Sequence, residues 1–255
     1  MQNLKIMSAL YLMIFLAFSC EKDSTDDGTN PTTETEEPNN TELPENYQNF
    51  YNVEDIYRDG DFVVIETKGV PDHTSPYFAQ SDSRYEAYNG NNPNFRLNPN
   101  SIQEQSLTFR IPANPQAAAN KRATALGPIG VSINGVAIFN QYAGPDQPLT
   151  NEINSFDQHL GHPTGGGQYH YHIEPLFLTL KYGKESLVGF LLDGFPVYGP
   201  LENGSTISNA DLDSYHGHFG NTAEYPDGIY HYHITDEDPY INGNGYFGTP
   251  GNVTR

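Results

Sequence analysis

Apolar residues occur in short runs separated by turn residues, from about residue 49 to the end of the chain. Phe62–Glu66 and Leu107–Ile111 are runs of the β type. Ile129–Ile133 and Val136–Phe139 flank Asn134-Gly135, the strongest short signal for a β-hairpin. The pattern predicts a mainly β fold, an antiparallel sandwich or a partly closed barrel with long loops and a few short helices.

Other stretches of the body are less regular. Leu176–Leu180 and Leu187–Leu192 flank a polar turn and are predicted to be two further strands. Short helices are predicted near Asn151–His159 and near Ser208–Asp213, where a serine would cap the first turn. Asn114–Thr124 contains helix-forming alanines but lies between strand signals, so it is predicted to be a loop or a single turn.

The N-terminal residues are typical of a bacterial signal peptide. Lys5 precedes the apolar run Ala9–Phe18, which is too short to span a bilayer as a helix. The string Leu16-Ala17-Phe18-Ser19-Cys20 resembles a lipobox, in which the signal is cleaved before a cysteine that then carries lipid. We expect residues 1–19 to be a lipoprotein signal peptide and the lipid on Cys20 to make the membrane a partner. We therefore expect an outer-membrane lipoprotein, periplasmic or surface-exposed.

Residues 20–48 are predicted to be a tether. Glu21–Asn46 is rich in acidic residues, Thr, Asn and Pro and has almost nothing to bury, so we expect it to be disordered. It contributes to a net charge of −20, which makes nucleic acid a poor partner. Residues 49–255 are within the size of one domain. Since Cys20 is the only cysteine, disulfides within the chain and cysteine-based metal sites are excluded.

The tetrapeptide Tyr-His-Tyr-His occurs twice, at Tyr169–His172 and at Tyr230–His233. On a strand, residues two apart point to the same face, so His170 and His172 share one face and the two tyrosines share the other. Two neutral imidazoles on one strand face form half of a site for a transition metal, with copper or zinc as the candidate cofactor. We expect the tyrosines to pack against the body.

Each tetrapeptide belongs to a longer repeated unit. An aspartate and a Gly-His pair precede it, and the glycine, Gly161 or Gly217, would let the backbone approach the strand. The candidate metal ligands are His162, His170, His172, His218, His231 and His233. Candidates for a further ligand, or for a partner that orients an imidazole, are Asp157, His159, Asp193, Asp213 and His73.

The repeat predicts that the two strands lie near each other and turn their histidines toward one shared site, the competing arrangement being two separate sites. Three functions remain open. The first is metal binding in the bacterial cell envelope. The second is a metal-dependent hydrolase or oxidoreductase that uses the same histidines around an open coordination position. The third is a tethered binding module in which the histidines are structural. No catalytic residue is assigned.

The body resembles the YHYH-domain proteins, which are secreted or lipid-anchored bacterial proteins of largely unknown activity. The residues that carry this resemblance include Gly69–His73, Phe109–Pro115, Gly127–Asn140, Asp193–Pro200, both Gly-His pairs, both tetrapeptides and Tyr246-Phe247-Gly248. The resemblance implies cysteines at positions that His159, Tyr215 and Tyr246 occupy in this chain. This copy therefore lacks any disulfides those cysteines form, and His159 becomes an additional candidate donor.

Overall fold

A computed structural model describes residues 42–255, in which β-strands predominate. Within this range the strands are β1 (Asp55–Asp59), β2 (Phe62–Thr67), β3 (Leu107–Pro112), β4 (Ala117–Arg122), β5 (Pro128–Ser132), β6 (Ala137–Phe139), β7 (Tyr142–Ala143), β8 (Gln147–Pro148), β9 (Gly161–Pro163), β10 (Tyr169–Tyr171), β11 (Leu187–Leu191), β12 (Pro196–Tyr198), β13 (Leu201–Glu202), β14 (Ser205–Thr206), β15 (Gly217–Gly220), β16 (Ile229–His233), β17 (Tyr246–Gly248) and β18 (Asn252–Thr254). The helical elements are α1 (Leu176–Tyr182) and the 3₁₀ turns Glu45–Asn49, Glu152–Ser155 and Asn209–Asp211.

Two sheets pack against each other around one core. The smaller sheet is antiparallel, with the strand order β1-β2-β3-β18, and the larger has the order β15-β16-β12-β11-β5-β6-β10-β9. Phe109 and Ile111 from the smaller sheet belong to the same buried cluster as Val131 and Phe190 from the larger one. Within residues 42–255 the edge strands β9 and β15 do not pair, so the large sheet stays open. The prediction of a β sandwich is confirmed.

The larger sheet consists of two matching halves. In each half an antiparallel hairpin forms the edge, β9–β10 or β15–β16. The second strand of each hairpin then pairs in parallel with a strand from earlier in the chain, β10 with β6 and β16 with β12. Strands β5 and β11 join the halves in antiparallel fashion at the centre. The repeat therefore extends further upstream than the tetrapeptides show, to the turns at Asn134-Gly135 and Asp193-Gly194.

Several predicted elements are confirmed and two are corrected. The hairpin at Asn134-Gly135 forms, with Gly135 at a φ of 75°. Leu176–Leu180, predicted to be a strand, begins α1, because a short apolar run is compatible with either state and Pro175 at its start favours a helix. Within Asn114–Thr124, predicted to be a loop, residues of β4 pair with β17, so tertiary pairing overrides the helix preference of its alanines.

The folded body begins before residue 49. Tyr47 is buried and its ring stacks on Phe190, with the centroids 4.2 Å apart. This part of the predicted tether therefore packs on the domain, because an aromatic ring gains more from burial than the polar residues around it. The signal peptide, Cys20 and most of the tether lie outside the described residues. Among residues 42–255, no helix is long and apolar enough to cross a bilayer.

Candidate metal centres

Two groups of side chains in the described residues bring three imidazoles and one carboxylate together. In each group, one ligand atom from every member lies within 4.8 Å of all the others. The first site consists of Glu152, His162, His170 and His172. The second site consists of Glu202, His218, His231 and His233. All six histidines predicted as ligands are members, three in each site.

The edge hairpins position the imidazoles of both sites. His162 on β9 is the direct cross-strand partner of His170 on β10, and His218 on β15 is the partner of His231 on β16. The third histidine of each site follows two residues further along, so it lies on the same face. At Gly161 a Cβ atom would lie 2.5 Å from the Tyr169 ring, so only glycine allows the hairpin to close this tightly.

Backbone carbonyls fix the orientation of the tetrapeptide histidines in the same way in both halves. The first histidine of each tetrapeptide places Nδ1 3.1 Å from the carbonyl oxygen two residues upstream, that of Gln168 or Ile229. The second contacts a carbonyl on the parallel neighbouring segment: His172 Nδ1 lies 2.5 Å from Asn140 O, and His233 Nδ1 lies 2.9 Å from Gly199 O. A carbonyl only accepts hydrogen bonds, so each Nδ1 carries the proton and each Nε2 presents a lone pair.

The Nε2 atoms of the three histidines converge in the first site. His170 Nε2 lies 2.9 Å from His172 Nε2 and 3.1 Å from His162 Nε2. Glu152 Oε1 lies 3.1 Å from His162 Nε2 and 4.0 Å from His172 Nε2. His162 Nδ1 contacts Ser155 Oγ at 2.8 Å, which holds this ring in place from behind.

The second site has the same arrangement with a more exposed edge. His218 Nε2 lies 3.0 Å from His231 Nε2, and Glu202 Oε1 lies 3.5 Å from each of these nitrogens. His233 Nε2 is buried and has no hydrogen-bond partner among the described residues. The His218 side chain is 26% exposed, whereas that of His162 is 4% exposed.

Burial keeps the tetrapeptide histidines neutral. Desolvation, together with the neighbouring imidazoles His162 and His172, lowers the pKa of His170 well below its usual value. Burial also lowers the pKa of His172 and of His233 to about 4. Burial works to raise the pKa of Glu152, but the hydrogen bond and charge of His162 outweigh it and lower that pKa. At neutral pH His170, His172 and His233 are therefore uncharged nitrogen donors.

The two glutamates are the members that sequence reasoning missed. Glu152 lies in the 3₁₀ turn that precedes β9, whereas Glu202 ends β13, directly after β12. These are different positions in the two halves, so no common spacing from the histidines marks them in the sequence. The only signal is that each is an acidic residue within its repeated unit, and the tertiary fold alone brings each carboxylate to its imidazoles.

Asp157 and Asp213 lie on the opposite face from the imidazoles. Asp157 Oδ2 accepts hydrogen bonds from Tyr169 Oη at 2.9 Å and Ser75 Oγ at 2.6 Å. Asp213 Oδ1 accepts one from Tyr230 Oη at 2.9 Å. Because side chains alternate between faces, a carboxylate bound to a tetrapeptide tyrosine cannot reach the histidine face. The structure thus corrects the expectation that these two aspartates ligate a metal or orient its imidazoles.

Asp193 has a corresponding role in the centre of the sheet. Its Oδ2 accepts hydrogen bonds from Tyr232 Oη at 2.6 Å and from the Gly248 backbone at 2.8 Å. In the other half the equivalent turn residue, Asn134, contacts Tyr171 Oη at 3.4 Å. Burial raises the pKa of Asp193 to about 6. This carboxylate supports the tyrosine face and belongs to neither metal site.

The remaining histidines are also outside the two sites. The His73 ring packs on His159 with centroids 4.2 Å apart, and its Nε2 contacts Tyr171 Oη at 2.9 Å. His159 therefore lies on the tyrosine face as well, and neither ring reaches the first site. His216, which the sequence did not single out, uses both ring nitrogens: Nδ1 donates to His233 O at 2.9 Å, and Nε2 accepts from Thr235 Oγ1 at 3.1 Å.

The prediction of one shared site is wrong. The tetrapeptide strands β10 and β16 lie near opposite ends of the large sheet, with β6, β5, β11 and β12 between them. At about 4.8 Å per strand, five strand spacings separate them by about 24 Å. Each tetrapeptide pairs with the strand of its own half rather than with its counterpart. The structure therefore contains two separate groups, the competing arrangement.

Each site forms part of the wall of an open cavity. The cavity at the first site has a volume of about 470 Å³ and is lined by its four members together with residues that include Phe139 and Tyr142. The cavity at the second site has a volume of about 490 Å³, and Glu202, His231 and His233 line it. Both volumes are in the range of small-molecule sites, so a small molecule could reach the ligand atoms.

Comparison with protein families gives a match for the large sheet and its two sites. The family model described as YHYH protein matches residues 108–207 and 201–245, which together are more than half of the chain. The matched residues include both halves of the large sheet and both candidate sites. Neither the curated proteins nor the solved structures gave a match.

Proposed function

The chain belongs to the YHYH protein family, and we propose that it is a metal-binding protein with two separate transition-metal sites, each binding copper or zinc. The donors of the first site are Nε2 of His162, His170 and His172 and the carboxylate of Glu152. The donors of the second site are Nε2 of His218, His231 and His233 and the carboxylate of Glu202.

The observation that carries this proposal is the contact between His170 and His172. Both Nδ1 atoms bind carbonyl oxygens, so both Nε2 atoms present lone pairs, and these are 2.9 Å apart. Two facing lone pairs repel each other unless a cation lies between them. A shared proton is disfavoured because burial lowers the pKa of both rings. A metal ion satisfies both nitrogens, and ligating histidines commonly bind a carbonyl through their other nitrogen.

The spacing of the donors fits a tetrahedral ion. Zinc bonds to imidazole nitrogen of about 2.0–2.1 Å place tetrahedral donors about 3.3 Å apart. The contacts in the first site run from 2.9 to 4.0 Å, and those among Glu202, His218 and His231 in the second run from 3.0 to 3.5 Å. All four ligand atoms of each site lie within 4.8 Å of one another. Imidazole and carboxylate donors without thiolate suit zinc or divalent copper.

The carboxylates support the same conclusion. Glu152 and Glu202 come from different places in the repeated units, yet each brings Oε1 next to the Nε2 atoms of its own site. Inheritance of one position by duplication does not account for this coincidence. A requirement for a fourth, anionic donor at each site does.

The test is the metal stoichiometry of the domain, expressed as residues 42–255 without a polyhistidine tag. Isothermal titration with zinc and elemental analysis after dialysis should give two ions per chain. His170→Ala should remove one ion and leave the second site intact, and His231→Ala should do the reverse. The double variant should bind none.

His216→Ala is the matched control. This histidine is buried near the second site, but both of its ring nitrogens are already hydrogen-bonded within the protein, to His233 O and Thr235 Oγ1. Its loss should lower stability and leave the stoichiometry at two. Purified protein that binds no zinc or copper would refute the proposal and would favour a binding module with structural histidines.

A second candidate function is metal-dependent hydrolysis or oxidation at the same ions. The observation that favours it is that both sites open into cavities large enough for a small substrate. Zinc-loaded protein should then hydrolyse an activated ester such as 4-nitrophenyl acetate faster than the His170→Ala/His231→Ala variant with equal total zinc. Equal rates would exclude this hydrolysis.

We also propose that lipid on Cys20 anchors the protein at the bacterial outer membrane. The support is the apolar N-terminal segment that ends at the chain's only cysteine. The acidic tether that follows would then place the two sites away from the bilayer.

A further inference from the structure

The two sites are alike in their ligand atoms and different in the cavities beside them. At equivalent positions of the two halves, the strand next to the tetrapeptide presents Phe139 in the first cavity and Tyr198 in the second. The Phe139 ring stacks on His170 with centroids 3.9 Å apart. Tyr198 instead packs edge-on against His231, and its hydroxyl donates a hydrogen bond to Glu224 Oε2 at 2.8 Å.

The exposed lining of the first cavity is mostly apolar. Leu126 and Tyr142 line it and are 46% and 39% exposed, which is unusual for side chains of this size. The only charged side chain that lines this cavity among residues 42–255 is Glu152, which the proposed site uses as a ligand. An uncharged molecule with an apolar ring would cover Leu126, Tyr142 and Phe139 while its donor atom reaches the ion.

The rim of the second cavity is acidic. Glu185 and Glu224 line it in addition to the proposed ligand Glu202. Among the described residues no lysine or arginine lines this cavity, so its two further carboxylates have no cationic partner on its wall. A positively charged group that enters the cavity would be attracted by both.

We propose that the two sites bind different ligands: the first an uncharged molecule with an apolar ring, and the second a molecule that carries a positive charge. This inference rests on the proposed function, because in both cases the ligand's donor atom adds to the four protein donors as a fifth ligand of the bound ion. Duplication thus produced two sites with one type of ion and two ligand specificities.

Two imidazole derivatives test this directly. Both 4-phenylimidazole and 1-(3-aminopropyl)imidazole offer one neutral nitrogen donor, but the first adds an apolar ring and the second an ammonium group. Each is titrated into residues 42–255 loaded with two equivalents of Co²⁺, and binding is read from the visible spectrum of the cobalt. With either probe we expect two phases whose midpoints differ by about tenfold, which corresponds to about 1.4 kcal/mol.

Variants of the rims assign the phases. Leu126→Ser/Tyr142→Ser should weaken the tight phase of 4-phenylimidazole by about tenfold and leave that of the aminopropyl probe unchanged. Glu185→Gln/Glu224→Gln should weaken the tight phase of the aminopropyl probe by about tenfold and leave that of 4-phenylimidazole unchanged. Added salt should weaken only the tight phase of the aminopropyl probe, because salt screens charge and leaves apolar contact unaffected. These side chains are proposed ligands of neither ion, and the rim residues Leu126 and Tyr142 are partly exposed, so we expect the variants to fold and to keep both ions.

Matched controls carry the same changes away from both cavities. Leu180→Ser/Tyr57→Ser replaces side chains that are 70% and 41% exposed, and Glu104→Gln/Glu237→Gln removes two surface charges. If the rim variants shift the midpoints no more than these controls, or if both probes bind both sites equally, the inference is refuted while two-ion binding stands. Failure of the protein to bind cobalt, zinc or copper would instead refute the proposed function and this inference with it.

Discussion

Zinc should stabilise the protein in two equal and additive steps. At a free zinc concentration of about 1,000 times Kd, binding to the folded state alone adds about 4.1 kcal/mol per site to the free energy of unfolding. The proposed sites lie about 24 Å apart by strand spacing, and effects at positions more than about 10 Å apart usually add. The expected gain is therefore about 8 kcal/mol in the wild type.

Single-site variants should lose half of this gain. For a domain of about 200 residues, 1 kcal/mol shifts Tm by about 2–4 °C, so one site corresponds to about 8–16 °C. His170→Ala and His231→Ala should each keep about 4 kcal/mol of zinc-dependent stabilisation. Their metal-free Tm should also fall, because removal of either ring deletes the hydrogen bond from its Nδ1 to a backbone carbonyl, Gln168 O or Ile229 O.

The assay is thermal unfolding followed by circular dichroism, with zinc and with a chelator, on residues 42–255. The quantity compared is the difference between the Tm with zinc and the Tm with chelator, which separates zinc binding from the structural cost of each substitution. His216→Ala is the control and should keep the full gain from a lower starting Tm. If either single variant abolished the entire gain, the ligands would act as one site and the separation deduced from strand order would be refuted.

Three further predictions follow from other parts of the molecule. Metal-free protein should lose stability as pH falls from about 6.5 toward 4. Burial lowers the folded-state pKa of His172, His216 and His233 to about 4. Their contribution to the free energy of unfolding is therefore complete above the unfolded-state pKa of about 6.5 and is lost as pH falls from there toward 4. Burial raises the pKa of Asp157 and Asp193 to about 6, which opposes this trend, but the buried histidines outnumber these two aspartates. Urea unfolding that showed rising stability on acidification would contradict the burial argument. Tyr232→Phe should lower the free energy of unfolding, measured in urea, by about 1.5–3 kcal/mol because its hydroxyl binds an aspartate. The same change at Tyr171, whose partners are neutral, should cost less. Equal costs would show that the charge of Asp193 does not strengthen the Tyr232 hydrogen bond. Cys20→Ser should release the full-length protein from the membrane fraction, measured by immunoblot after fractionation, since a stable anchor needs the acyl chains on that cysteine; a variant that stayed membrane-bound would show that the lipobox interpretation is wrong.

The sequence by itself determined the local features of the sites. The period of two residues along a strand places His170 and His172 on one face and the tyrosines on the other, whatever the strand pairs with. The hairpin at Asn134-Gly135 follows from the positive φ that glycine accepts. The repeated Gly-His pairs identified the third histidine of each site, because a glycine there lets one hairpin strand lie close against the tyrosine of the next.

Tertiary structure alone decided how these features combine. The tetrapeptide strands pair in parallel with β6 and β12, and such long-range pairing leaves no periodic signal in the sequence. The repeat alone therefore could not distinguish two distant sites from one shared site. Glu152 and Glu202 reach their imidazoles from unrelated positions in the repeated units, which only the path of the connecting segments determines. The aspartates that the motif placed beside the histidines bind the tyrosine hydroxyls instead, because the direction of a side chain across a sheet depends on register and not on proximity in sequence.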